Sequence, residues 1–252
     1  MGRKIRFLLT NKCTAHCAYC HNEGQGEHGN LLSLAVIDDV LRTLDEHGCP
    51  PSEIVLSGGE PTLHKNLAEI AQRCKATGAH LSMNSHAGHP RLLARALPYL
   101  DELKVHVDSF DALEQRQRMG IEIDAVLESI RQARQYPIRM LVNHPLACKQ
   151  ALARFISDAR EVGIDCKIIE KVPCQPGHVA LHEIDWQALG YQQDENDDWQ
   201  HQSSQHQVFT KQCMPEHDDE YSLFIGPDGI RTGLHRPSLG RPEHFSITMT
   251  RQ

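Results

Sequence analysis

Cys13, Cys17 and Cys20 fall within eight residues near the start of the chain, and thiolates grouped in this way are soft ligands suited to iron or zinc. Gaps of three and two residues let one short loop wrap a four-iron cube and ligate three irons, leaving the fourth open to another ligand. The segment allows two other readings. Cys17-Ala18-Tyr19-Cys20-His21 satisfies the C-x-x-C-H haem-attachment pattern, and the three cysteines with His21 could make a Cys3His zinc site. Haem attachment normally belongs to exported proteins, and structural zinc sites more often pair two knuckles.

A second segment, Ile54-Val55-Leu56-Ser57-Gly58-Gly59-Glu60-Pro61, joins a buried-strand run to two glycines, which permit tight turning and close approach of backbone to a ligand. Alone it is an ordinary strand-to-helix turn. His86, His106 and His144 stand at or near predicted strand ends. Of these, His144, with Glu170, is the expected holder of substrate polar groups and the candidate catalytic pair. Cys174, Cys213, His178 and His217 could form a residual metal site, whereas Cys49, Cys74, Cys148 and Cys166 are scattered and read as small buried hydrophobes.

These residues need elements to carry them. Apolar runs at Ile5 to Thr10, Ile54 to Ser57, His80 to Asn84, Leu103 to Val107, Ile138 to Asn143 and Lys167 to Glu170 alternate with helical stretches, the pattern of strand-helix units around a parallel sheet. Six units are too few for a closed eight-stranded barrel, so the expected fold is α/β, a partial (β/α)6 barrel with its site at the C-terminal strand ends. The first helix should start after Ser33 as N-cap and stop at Gly48, and another should run from about Asp124 to Tyr136. The predicted division is a barrel over residues 1–173 and an extension over 174–252. Tyr191 to Gln207, rich in Gln, Asp, Asn, His and Ser, reads as a solvated loop. Tyr221 to Leu234 reads as a hairpin turning on Asp228-Gly229.

The 252 residues can form one sizeable core, and a net charge of -7 with pI near 6.2 argues against a nucleic-acid footprint. Met1 to Thr10 is too short and charged for a signal peptide, and no apolar run approaches the roughly 20 residues of a membrane span, so a cytoplasmic location is expected, with no membrane partner. Nine cysteines in a reducing compartment favour metal ligation over a disulfide framework.

Cys13-x3-Cys17-x2-Cys20, with aromatic Tyr19 before the last cysteine and Gly58-Gly59-Glu60-Pro61 after the second strand, resembles the radical S-adenosylmethionine (SAM) superfamily. The resemblance implies a [4Fe-4S] cluster on Cys13, Cys17 and Cys20, SAM chelating the open iron, and reductive cleavage to a 5'-deoxyadenosyl radical that abstracts hydrogen from a substrate. It further implies that Tyr19 meets the adenosyl part of SAM, that Gly58, Gly59 and Glu60 receive its amino end, and that Asn84 and Asp108 lie near its ribose. An electron donor such as flavodoxin or ferredoxin would be required.

From Arg3 to Pro173 the chain is most similar to the branch containing the GTP 3',8-cyclase of molybdenum-cofactor biosynthesis. Arg6 matches a substrate-contacting arginine there and Val172 a SAM-contacting position, while His106 is a further candidate for the substrate. The departures are informative. Val55 replaces a second substrate-binding arginine, and Glu216, Asp219 and Gly233 stand where that branch carries three auxiliary-cluster cysteines. A single cluster and a small-molecule substrate, nucleotide- or sugar-like, are therefore expected. Tyr19-Cys20-His21-Asn22 also resembles the glycyl-radical-enzyme activases, which would make the substrate a protein. A non-catalytic Fe-S or zinc redox sensor is the alternative of a different class.

Overall fold

The computed structural model describes residues 3–20, 29–170, 179–211, 222–232 and 240. Its elements in chain order are β1 (Arg3–Leu8), α1 (Leu34–Glu46), β2 (Pro51–Ser57), α2 (Leu67–Ala76), β3 (His80–Ser85), α3 (Pro90–Leu93), β4 (Glu102–His106), α4 (Ala112–Met119), α5 (Ile123–Ala133), β5 (Arg139–Leu146), α6 (Lys149–Val162) and β6 (Asp165–Glu170). Short strands follow: β7 (Tyr191–Gln193), β8 (Trp199–His201), β9 (Gln207–Lys211), β10 (Ser222–Gly226) and β11 (Gly229–Arg231). One sheet takes them all in the order β11-β10-β1-β2-β3-β4-β5-β6-β9-β8-β7. The six expected strands form its parallel centre in sequence order, and the sheet is open.

The two faces differ in chemistry. Alternate strand residues share a face. Ile5, Phe7, Ile54, Leu56, Leu81, Met83, Leu103 and Val105 are fully buried and pack with Val36, Ile37, Val40 and Leu44 of α1 and Val126 and Ile130 of α5 in one core. The intervening positions are largely polar: Lys4 and Arg6, Glu53, His80, Ser82 and Asn84, Glu102, Lys104 and His106. One face thus drives folding through apolar burial, and the other lines a polar lumen.

Ser33 caps α1 as expected, its hydroxyl accepting from the Val36 N–H at 3.3 Å. Ser33→Ala should cost about 1 kcal/mol, a fall of roughly 2–4 °C in melting temperature for a chain of this size, checked by thermal denaturation.

The region Tyr191 to Gln207 is not a plain loop. It forms β7 and β8 and opens β9, an antiparallel ladder whose β9 joins β6 in parallel. Buried Tyr191 and Val208 and stacked Trp186 and Trp199, 5.3 Å apart, anchor it. Asp197 turns with φ 63, so the acidic segment Asp194 to Asp198 is the tip of the β7–β8 hairpin. At the other edge, β10 pairs in parallel with β1, and the hairpin to β11 closes on Gly226 and Gly229. Its two loop residues are therefore Pro227 and Asp228 rather than Asp228 and Gly229.

Candidate functional site at the C-terminal strand ends

The cysteine loop leaves β1 and is held against the end of β2 by backbone hydrogen bonds that continue the ladder. Leu9 N–H donates to Ser57 O at 2.8 Å, Gly59 N–H to Thr10 O at 2.7 Å and Glu60 N–H to Lys12 O at 2.8 Å. Gly58 sits at φ +125, and a Cβ there would lie 2.5 Å from the Thr10 carbonyl oxygen. Glycine is thus required both by conformation and by the contact between the two motifs. On its other side the loop rests on α4: His16 N–H donates to Met119 O at 3.0 Å, and the His16 ring fills the space beside Gly120.

Cys13, Cys17 and Cys20 are free and half-buried. Burial raises the Cys13 thiol, and it raises Cys17 to about 11 against the opposing influence of the Tyr19 hydroxyl, with Asp108, Cys13 and Cys20 adding to the rise. The three thiols therefore lie within electrostatic reach of one another. Among the described residues no three His, Cys, Asp or Glu side chains are grouped tightly enough for a single metal ion. A four-iron cube asks something different, since each thiolate ligates a separate iron.

Tyr19 reaches from this loop to β4. Its hydroxyl lies 2.8 Å from His106 Nε2 and donates to Asp108 Oδ1. Burial raises Asp108, but His106 and Tyr19 outweigh it and hold the carboxyl below its ordinary range. Gln115 on α4 accepts from the backbone N–H groups of Asp108 and Ser109 at 3.1 and 3.0 Å, fixing the turn that presents Asp108.

Glu60 is fully buried, and its carboxylate is committed to the protein. Oε1 accepts from Thr62 N–H at 3.0 Å and Ser85 Oγ at 2.8 Å, and Oε2 from His86 N–H at 2.9 Å. It joins the ends of β2 and β3. Arg6 faces the lumen, with its guanidinium 5.0 Å from the centroid of Phe224.

The lumen carries polar atoms left without partners among the described residues: Arg6 Nε, Ser82 Oγ, Asn84 Oδ1 and Asn143 Oδ1 are buried and accept or donate no hydrogen bond there, although buried polar groups in proteins are almost always paired. At the N-terminal ends of the strands lies a cavity of about 440 Å3, lined among others by Lys4, Glu102, Lys104, Arg139 and Lys167. Lys4 pairs with Glu53 at 3.1 Å, and Lys104 and Arg139 share Glu102 at 2.6 and 3.5 Å. Burial, with Lys104, Lys211 and Lys4 adding repulsion, lowers Lys167 to about 8.

Two expected residues fall elsewhere. His144 packs on the helix side of the sheet, its ring stacked on Phe155 at 3.9 Å and its Nδ1 3.1 Å from Val107 O. Burial lowers it to about 4, so it is a neutral core histidine away from the lumen. Glu170 accepts from Leu181 N–H at 3.2 Å and ties the end of β6 to the segment beyond. Val172, Cys174, His178, Cys213, Glu216, His217, Asp219 and Gly233 lie outside the described residues. Asn143, Lys104, Lys167, Thr14 and His89 were not singled out by the sequence. Strand alternation is the signal for the first three, because a polar residue between apolar neighbours in a buried parallel strand must face the lumen.

An open parallel sheet, helices on its apolar face and a three-cysteine loop locked over the C-terminal end of its polar face define a partial α/β barrel with a cofactor-type mouth. The chain belongs to the radical SAM superfamily, whose family model matches residues 7–168. Membership implies a [4Fe-4S] cluster and SAM, and the three thiols together with the unpartnered lumen atoms fit both groups.

Among curated relatives, probable GTP 3',8-cyclases are 29% identical over 191 residues in Methanococcus maripaludis, 73% of this chain and 63% of that one, and 33% identical over 174 residues in Sulfurisphaera tokodaii, 65% and 55%. The one from Pyrococcus horikoshii is 29% identical over 141 residues, 54% and 45%, so the matches span about half to under two thirds of those relatives. In fold, the chain resembles Streptococcus suis SuiB bound to SAM, with TM-score 0.70 and 12% identity over 99% of this chain and 65% of that one. It also resembles anSMEcpe with bound AdoMet, with TM-score 0.69 and 10% identity over 98% and 79%. No helix among the described residues is long and apolar enough to cross a membrane.

Proposed function

We propose that this chain cleaves SAM reductively and abstracts hydrogen from a small, nucleotide- or sugar-like molecule bound in the lumen. The observation that carries this reading is the polar lumen, with four buried polar atoms that have no partner among the described residues, beneath the three-cysteine loop. When bound, the reduced cluster supplies the electron that splits SAM into methionine and a 5'-deoxyadenosyl radical, which becomes 5'-deoxyadenosine on taking a hydrogen atom. Cys13, Cys17 and Cys20 would hold three of its irons. Tyr19, oriented by His106 and Asp108, meets the adenosyl part, and Asn84 lies near the ribose. Glu60 serves as a strut rather than a contact, leaving the backbone of Gly58 and Gly59 to meet the amino end. Arg6, His106 and Asn143 face the substrate, and a flavodoxin- or ferredoxin-like donor supplies electrons.

Anaerobic reconstitution followed by SAM and dithionite tests the first half: about four irons per chain and 5'-deoxyadenosine are expected, and the absence of either overturns it. Incubation of active enzyme with labelled SAM and a cell extract tests the second. A metabolite altered only with active enzyme supports a small substrate, and a change in a large protein supports the activase reading instead.

Lys167 lines the cavity at the N-terminal strand ends and has no hydrogen-bond or ion-pair partner among the described residues. Lys167→Met removes this amine and with it the cost of burying its charge. Because the folded value lies near 8 and the ordinary one at 10.5, the charged form is disfavoured in the fold, so the penalty is full below pH 8 and fades as pH rises towards 10.5. The variant should therefore melt higher than the parent at neutral pH, with the gap closing above pH 8. Melting curves between pH 6.5 and 10 check this.

A further inference from the structure

We propose that His86 is a positioning residue that fixes the cysteine loop on the Gly-Gly-Glu-Pro turn through Thr14. The inference rests on the reading of Cys13, Cys17 and Cys20 as cluster ligands. Gly88 N–H donates to His86 Nδ1 at 2.9 Å, so Nδ1 carries the lone pair and the ring proton sits on Nε2. That proton points at Thr14 Oγ1, 3.1 Å away, with Glu60 Oε2 at 3.3 Å. Having accepted from His86, the Thr14 hydroxyl can spend its own proton on His89 Nε2, 2.9 Å distant. The assignment is self-consistent: His86 is the Nε2–H tautomer and His89 the acceptor.

The network spans three elements. Glu60 closes the end of β2, Ser85 and His86 close β3, and Thr14 immediately follows Cys13 in the loop. His86 is buried, and its burial lowers it further from protonation, so the neutral donor is the form the fold holds. His86 has a backbone partner and a carboxylate for packing alone, and would not need Thr14. The contact with the loop places its side chain one residue from a ligand, where a lost hydrogen bond lets the loop breathe. Outer contacts of this kind commonly fix ligand geometry in metal sites.

The test compares the parent with Thr14→Val, His86→Ala and His86→Gln, the last keeping an N–H donor. All are reconstituted anaerobically. Iron release to a chelator, the electron paramagnetic resonance (EPR) spectrum of the dithionite-reduced cluster with and without SAM, and hydrogen exchange of residues 13–19 in the cluster-free chain are measured. Thr14→Val and His86→Ala should lose iron about tenfold faster, the effect of one net hydrogen bond. They should exchange faster in the loop and show an altered SAM-induced spectral change, while His86→Gln recovers most of each. Thr14→Val lies on the loop surface of the network and guards against misfolding of the buried variant. Parent-like iron release, spectra and exchange in Thr14→Val and His86→Ala overturn the proposal while leaving the cluster reading intact. A parent chain that takes up no iron overturns the cluster reading, and the proposal with it.

Discussion

Cys17→Ala is expected to leave the chain folded but without iron and without SAM cleavage. Cys17 is half-buried in a loop whose path is set by backbone bonds to Ser57, Thr10, Lys12 and Met119, none of which involves its thiol, so the melting temperature should fall by no more than a few degrees. Chemistry should fall to background. Enzymes accelerate their reactions by about six orders of magnitude or more, and a cluster with two thiolate ligands in place of three does not persist to supply it. Cys13→Ala and Cys20→Ala should behave alike. Cys74→Ala and Cys166→Ala are the informative controls: both side chains are fully buried, so these substitutions should destabilise by about 1 kcal/mol and keep both iron and 5'-deoxyadenosine formation. Iron per chain and chromatographic detection of 5'-deoxyadenosine decide the matter. Parent-like iron in Cys17→Ala would remove that cysteine from the ligand set.

The parallel centre of the fold was legible because its strands carry buried Ile, Leu, Val, Phe or Met at alternate positions between helical stretches, and because Ser33 has the chemistry of a helix cap. The mouth was legible for a related reason: cysteine spacing and a glycine turn are local patterns. The edges were not. β7 and β9 bury one residue each and β8 none, and Tyr191 and Val208 are too sparse among glutamines and aspartates to stand out, while the pairing of β10 with β1 joins residues more than 200 apart.

The misplaced site residues have a physical cause within the strand itself. On β5, Asn143 shares its face with Leu141 and Arg139 and is registered between His106 and Lys167. His144 has the opposite parity and is registered with Ile168, which is buried under the helices. A strand end selects its neighbours by parity, and a position at the strand end does not by itself tell which face His144 takes. Glu170 shares that parity with Ile168. The His86 network escaped notice because its members, Thr14, Glu60, His86 and His89, are separated along the chain and meet only once β2 and β3 are paired.

Gly58→Ala should separate the contribution of the second motif from that of the cysteines. At φ +125 a non-glycine residue is strained by about 1–3 kcal/mol, and the added Cβ would sit 2.5 Å from Thr10 O and 3.1 Å from the backbone nitrogens of Leu9 and Thr10. Those atoms are backbone and cannot swing aside as a flexible side chain would. The start of the cysteine loop must move instead, which strains or breaks the Gly59-to-Thr10 and Glu60-to-Lys12 bonds that register the two motifs. Strain and two weakened bonds together predict a loss of about 3 kcal/mol or more, a fall of roughly 6–12 °C in melting temperature for a chain of this size. The distinctive expectation is what survives at low temperature. With all three thiols present, Gly58→Ala should still gain iron on reconstitution, but the turn that faces SAM is displaced, so 5'-deoxyadenosine formation should fall far more than iron content. Equal losses of iron and activity would mean that the turn acts only by holding the cysteine loop, and parent-like activity would mean that the turn has no part in meeting SAM.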